Sequence, residues 1–195
     1  MDADADRHSS PAAPRGVRLF FALVPDADVR TALARLAREC AGDAGGRPSS
    51  PEAIHLTLAF IGEVDASRRE LLAAIGARLP RIAFDVDLDR IGGFRAARVA
   101  WIAPSASPEV LSALQIALAT ELASAGFPTE RRPFRPHLTL ARHCRVPLAS
   151  APTPTVHWSV SRLALIESTL DPAGARYREV AGWELAPPSS PAPCS

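Results

Sequence analysis

Apolar and polar positions along this chain alternate between two rhythms, one of strands and one of helices. Arg18–Val24 reads RLFFALV, an apolar run closed by Pro25, and predicts a buried strand. From Asp26, a good N-cap residue, Val29, Leu33, Leu36 and Cys40 recur at steps of four, three and four, which predicts a helix ending at Gly42. Ile54–Ile61 is the next strand. Ser67–Leu79 predicts a second helix, with Leu71, Leu72, Ile75 and Leu79 on one face and Pro80 as its stop. In Ile82–Ile91 the apolar Ile82, Phe84, Val86 and Leu88 alternate with Asp85, Asp87 and Asp89, the pattern of a half-exposed antiparallel strand.

The same order then returns. Arg98–Ala103 (RVAWIA) is a short strand closed by Pro104. Ser107 is the expected cap of a third helix, with Pro108 at its first position, a buried stripe of Leu111, Leu114, Leu118 and Leu122, and Gly126 and Pro128 at its end. A strand carrying His137 follows. Arg18 to His55 is 37 residues and Arg98 to His137 is 39, so strand, helix and histidine-bearing strand recur at nearly one spacing. This points to an internal duplication with a pseudo-two-fold axis. Val156–Glu167 and Tyr177–Leu185 supply closing strands. Residues 1–15 and 187–195 are rich in Pro, Ser and Ala and read as disordered tails, leaving one domain over 16–186.

Composition narrows the function. The 195 residues are 47% hydrophobic, enough for one large core. The formal net charge is only +1, so the chain lacks the basic excess of a protein that coats long nucleic acid, and any nucleic acid must be gripped locally. All 22 basic residues are Arg, which rules out lysine Schiff bases and a P-loop lysine. Cys40, Cys144 and Cys194 are odd in number and far apart, against a disulfide framework or a cysteine zinc site. Met1–Gly16 has no apolar signal core, and no apolar run reaches the roughly 20 residues needed to span a bilayer. The expectation is a cytoplasmic monomer without a membrane partner.

The chemistry lies in two copies of His-Leu-Thr-Leu, His55–Leu58 and His137–Leu140. On a strand, residues i and i+2 share a face, so His55 points with Thr57, and His137 with Thr139, while the leucines face a core. One such pair is ordinarily a satisfied structural histidine; two on duplicated strands bring two imidazoles and two hydroxyls to one cleft. Imidazole works as acid or base near neutrality, and hydroxyls donate to phosphoryl oxygens. A zinc site would need a third ligand at a recognisable spacing, and there is none. Acid–base displacement at phosphorus, without metal or cofactor, fits best. The motif's symmetry leaves open which histidine is the acid.

RLFFALVP, HLTLAFIGEV and RPFRPHLTLAR resemble the bacterial RNA 2′,3′-cyclic phosphodiesterases of the two-histidine phosphoesterase superfamily, formerly called 2′-5′ RNA ligases. The resemblance runs from about Val17 to Leu185. It implies a bilobal α+β fold with two antiparallel sheets lining a central cleft and helices outside. It implies that water attacks an RNA 2′,3′-cyclic phosphate to leave a 2′-phosphomonoester, with weak reversible 2′-5′ RNA ligation as a second activity. By resemblance His55 is the proton donor, His137 the proton acceptor, and Thr57, Thr139 and Arg142 contact the phosphate. Arg142 stands five residues after His137, where strict strand parity aims it away from the cleft. Either the strand bends or ends near Ala141, or Arg142 is a surface residue.

Arg131, Arg132 and Arg135 are either a grip on RNA phosphates or a solvated turn, and Phe134 either a stacking platform or a lid on the core. His143 shares simple strand parity with His137 but reads as a supporting or surface residue. His8 and His157 carry no functional assignment. Small cyclic nucleotides are an alternative substrate. The competing reading is a non-catalytic module binding nucleotides or RNA ends, which could lose one imidazole without penalty; both are present here.

Overall fold

The computed structural model describes residues 17–130, 132–171 and 174–187. The expected tails therefore lie outside the described residues, apart from Pro187, as do His8, Arg131 and Cys194. In chain order the elements are β1 (Val17–Leu23), α1 (Ala27–Ala44), β2 (Arg47–Pro48), β3 (Leu56–Val64), α2 (Arg69–Arg78), β4 (Phe84–Phe94), β5 (Val99–Ala103), α3 (Glu109–Ser124), β6 (Leu138–Arg142), β7 (Ala151–Val160), β8 (Arg162–Asp171) and β9 (Gly174–Glu184). Short 3-10 turns stand at Pro51–Ala53 and Ala66–Arg68.

Helix boundaries follow local chemistry and correct several expectations. Asp26 does cap α1, its Oδ1 accepting from the Val29 N–H at 2.9 Å. The helix passes through Gly42 and stops at Gly45, whose φ of 58° is the left-handed conformation that glycine adopts without steric cost. The α2 helix begins two residues later than expected, because Ala66–Arg68 is a 3-10 turn whose Ser67 N–H is held by Asp65 at 2.8 Å. For α3 the cap is Pro108 rather than Ser107, since it is the Pro108 carbonyl that accepts the first helical bonds, from Leu111 and Ser112. The predicted strand Val156–Glu167 is two strands, parted at Ser161.

All strand pairs are antiparallel, in the order β7-β4-β5-β6-β3-β1-β8-β9, with β2 added beside β6. The expected α+β class holds. The two expected sheets, however, run on into one hydrogen-bonded array. Their seam is the meeting of β3 with β6, registered at a single pair, Leu56 opposite Leu138. Outward from the seam, β1 and β5 occupy matching places, each antiparallel to its motif strand.

The helices interlock across this seam. Although α1 follows β1, it packs on β6, β2 and β7; α3, which follows β5, packs on β3 and α2. One contiguous core consequently takes Leu33 and Cys40 from α1, Ile75 from α2, Leu118 from α3, and Leu56, Leu58, Leu138 and Leu140 from the motif strands. Each such fully buried large side chain contributes roughly 1.5–3 kcal/mol. On the opposite face of β1 and β8 lies a small cluster of Phe20, Ala22, Ala164 and Ile166, partly covered by Val24 and Tyr177. Among the described residues, no helix is long and apolar enough to cross a membrane.

Candidate active site

The seam sets the geometry. His55 and His137 each stand one residue before the paired Leu56 and Leu138. Because the strands are antiparallel, a step back on one meets a step forward on the other. His55 thus comes opposite Thr139, and His137 opposite Thr57. The leucines point into the core and are fully buried, while both histidines and both threonines are half-buried on the other face. Residues directly opposite across antiparallel strands have Cβ atoms about 4.5–5.5 Å apart. Carried one residue beyond the registered pair, this register puts two imidazoles and two hydroxyls on one face of the seam as a crossed quartet.

A bulge explains Arg142. Along β5 and β6, Trp101 faces Thr139 and Ala100 faces Ala141, leaving Leu140 as an extra residue. Leu140 and Ala141 both turn to the core, and parity resets so that Arg142, opposite Val99, returns to the histidine face. The first motif repeats the device. Ala22 faces Thr57 and Phe21 faces Ala59, so Leu58 is extra, and Phe60 comes to the same face opposite Phe20. Phe60 and Arg142 hold equivalent places in the two motifs. Phe60 is 52% exposed, with the Arg18 guanidinium 5.4 Å from its ring centroid.

The two imidazoles differ in surroundings. His137 Nδ1 is 2.7 Å from the Arg135 carbonyl; since a carbonyl only accepts, Nδ1 carries the proton and donates it. Nε2 is then the nitrogen free to act. His55 is stacked against Phe20 (centroids 4.8 Å apart) and met edge-on by Tyr177 at 5.3 Å. Its Nδ1 is buried, with the Ala53 carbonyl near enough to favour protonation but not aligned as a hydrogen-bond partner. Burial first, and then the charge of Arg142, push the His55 imidazole from 6.5 down to about 4, with a smaller contribution from His137. That response to Arg142 and His137 also places all three within one electrostatic site.

The remaining candidates separate clearly. Phe134 packs against the core as a lid. Arg132 pairs with Glu130 at 2.6 Å in solvent, and Arg135 offers the site its backbone carbonyl while its side chain is exposed. His143 lies past the end of β6, exposed with φ of 57°, which is the surface alternative of its reading. His157 pairs with Asp87 at 2.6 Å on the far edge. The aromatic walls were not anticipated. Phe20 and Tyr177 against His55, and Phe94 edge-on to His137 at 5.1 Å, come from other strands, and only the doubled Phe of RLFFALV hinted at one of them. No group of three or more His, Cys, Asp or Glu suited to a metal ion occurs among the described residues.

Comparisons with known proteins identify the family. Residues 24–172 match the model of the 2'-5' RNA ligase superfamily. A relative in Escherichia coli named RNA 2',3'-cyclic phosphodiesterase is 32% identical over 86% of this chain and 96% of its own. One of the same name in Thermus thermophilus is 30% identical over 87% of this chain and 90% of its own. Among solved structures, Escherichia coli LigT complexed with 3'-AMP is similar with a TM-score of 0.77 and 30% identity, covering 87% of this chain and 98% of that one.

Proposed function

The chain belongs to the 2'-5' RNA ligase superfamily, and on that premise we propose that it hydrolyses RNA 2′,3′-cyclic phosphate ends to 2′-phosphomonoesters. The crossed quartet of His55, Thr57, His137 and Thr139 about the Leu56–Leu138 pair carries this reading. His137 Nε2 takes a proton from water as its oxygen bonds to phosphorus. The P–O3′ bond breaks, and His55 gives its proton to the departing 3′-oxygen. Thr57, Thr139 and Arg142 hold the non-bridging oxygens, Arg142 through the two-pronged contact that a guanidinium makes with phosphate. Water, one P–O bond and two protons balance the step, and no metal or cofactor enters it.

His55 must be protonated to donate, and its low pKa in the free protein disfavours this. The phosphate anion supplies the remedy: seated beside Arg142, it offsets the charge that depresses the imidazole and adds an attractive partner for the imidazolium. The donor is thus loaded by the substrate itself. The same reading makes the protein a cytoplasmic monomer formed by residues 16–186 as one bilobal unit. The shared core and the matched places of β1–β3 and β5–β6 about the seam support a duplicated origin for the two halves.

The test is an oligoribonucleotide ending in a 2′,3′-cyclic phosphate, with the product isomer identified by phosphorus NMR. A 2′-phosphate is expected. A 3′-phosphate would mean that the other ring oxygen departs, and binding without turnover would favour the non-catalytic module. A cyclic end with sulfur in place of the 3′-oxygen assigns the histidines. A thiolate leaves without a proton, so this substrate should rescue His55→Ala but not His137→Ala.

A further inference from the structure

We propose that the cavity at the end of β4, β5 and β6 is a second anion subsite, holding the internucleotide phosphate on the 5′ side of the terminal nucleotide. It rests on the RNA-end reading above and names what the protein grips beyond the cyclic end. The cavity holds about 310 Å³ and is lined by Phe94, Val99 and Pro147 together with Arg95, Arg98 and Arg145. No carboxylate lines it. Phe94, Val99 and Arg142 are successive cross-strand partners, so the cavity opens on the face that carries His137 and Thr139. Phe94 is a wall common to both, one side lining the cavity and its ring against the His137 imidazole at 5.1 Å.

The arginines here face no carboxylate, whereas several elsewhere do. Elsewhere Arg69, Arg78, Arg132, Arg162 and Arg178 are spent on carboxylates. Among the described residues, Arg95, Arg142 and Arg145 make no side-chain hydrogen bond or ion pair, in a chain whose net charge is only +1. Arg98 is held in place: with φ of 53° it closes the tight turn from β4 to β5 in a conformation that side chains other than glycine avoid. Its Nε donates to the Cys144 carbonyl at 3.1 Å and its own carbonyl accepts from the Cys144 N–H at 2.9 Å. His143, next to Cys144, is the other left-handed non-glycine residue among those described. Backbone conformations of this kind persist where surrounding contacts over-determine them, and they gather at ligand sites. The result is a fixed cationic turn beside the reacting phosphate.

A terminal nucleotide whose cyclic phosphate sits at Arg142 carries its other phosphate across the ribose, on O5′. A cavity walled by the unpaired guanidinium groups of Arg95 and Arg145 and the anchored one of Arg98, one side chain away from His137, suits that group.

The experiment compares kcat/KM for a nucleoside 2′,3′-cyclic phosphate with that for a dinucleotide ending in the same group, in the wild type and in the double variant Arg95→Gln/Arg145→Gln. The dinucleotide preference should fall about 3- to 10-fold, and the salt dependence of oligonucleotide binding should weaken by about 0.7 in slope for each phosphate that the variant no longer grips. A 5′-phosphorylated nucleoside cyclic phosphate should share the preference and lose it in the variant. An unchanged preference overturns the proposal, and so does an equal loss on both substrates. Should the wild type hydrolyse neither substrate, the catalytic reading fails. The subsite then stands or falls on fluorescence anisotropy with a labelled 3′-phosphorylated oligoribonucleotide, whose binding the variant must weaken.

Discussion

His55 links stability to pH, and the size of that link follows from its surroundings. In the unfolded chain its imidazole titrates near 6.5, and in the fold burial and Arg142 bring it to about 4. The folded pKa is depressed, so between these values the unfolded state binds the proton and the folded state does not. Stability therefore falls as pH falls from 6.5 toward 4. Each pKa unit corresponds to about 1.4 kcal/mol, so by about pH 4.5 the loss from this one group is on the order of 2–3 kcal/mol. The perturbation is His55→Asn, which removes the titration while keeping a polar group. Urea unfolding of both proteins at about pH 7 and pH 4.5 isolates the effect as a difference of differences. The wild type should lose on the order of 2 kcal/mol more than the variant over that interval. Parallel losses in the two proteins would mean that His55 is not held neutral, and the substrate-loading argument would lose its basis. In the wild type, inorganic phosphate should shift the His55 imidazole resonances toward the protonated form at about pH 5.5, since an anion beside Arg142 raises the pKa.

Three further expectations concern the site and its support. Arg142→Lys should lose most of its activity, because a point charge lacks the two-pronged donor, and Arg142→Ala should also raise the His55 pKa in an NMR titration; wild-type kinetics in the alanine variant would leave the bulge without functional consequence. His55→Ala and His137→Ala should each cost about 10²–10⁴-fold in kcat, the double variant less than their product, and exhaustive chelation nothing; loss in chelator with recovery on added zinc would make the histidines ligands. Gly76→Ala, which would help an isolated helix, should destabilise by about 1–3 kcal/mol in chemical denaturation, because an added Cβ would lie 2.3 Å from the Trp183 ring; unchanged stability would mean that the indole moves freely.

The periodic elements, the two motifs and the side of each strand that carries chemistry were legible in the sequence, because these depend on residues two to four apart. The doubled His-x-Thr pattern put both histidines and both threonines on the face opposite the buried leucines, because side chains two apart on a strand share a side. Tertiary structure settled what depends on partners distant in the chain. Val156–Glu167 reads as one apolar stretch, yet β4 captures one part and β1 the other, at opposite ends of the sheet. Arg142 fails the parity test in sequence and passes it in the fold, because the register against β5 leaves Leu140 extra. His55 and His137 head identical His-Leu-Thr-Leu motifs. Only burial beneath Phe20 and Tyr177, with Arg142 nearby, lowers the pKa of the first, and only the Arg135 carbonyl orients the second. Local pattern fixes which way a side chain faces along its own strand. The neighbouring strand fixes its register, and with it the charge and burial that decide what the side chain can do.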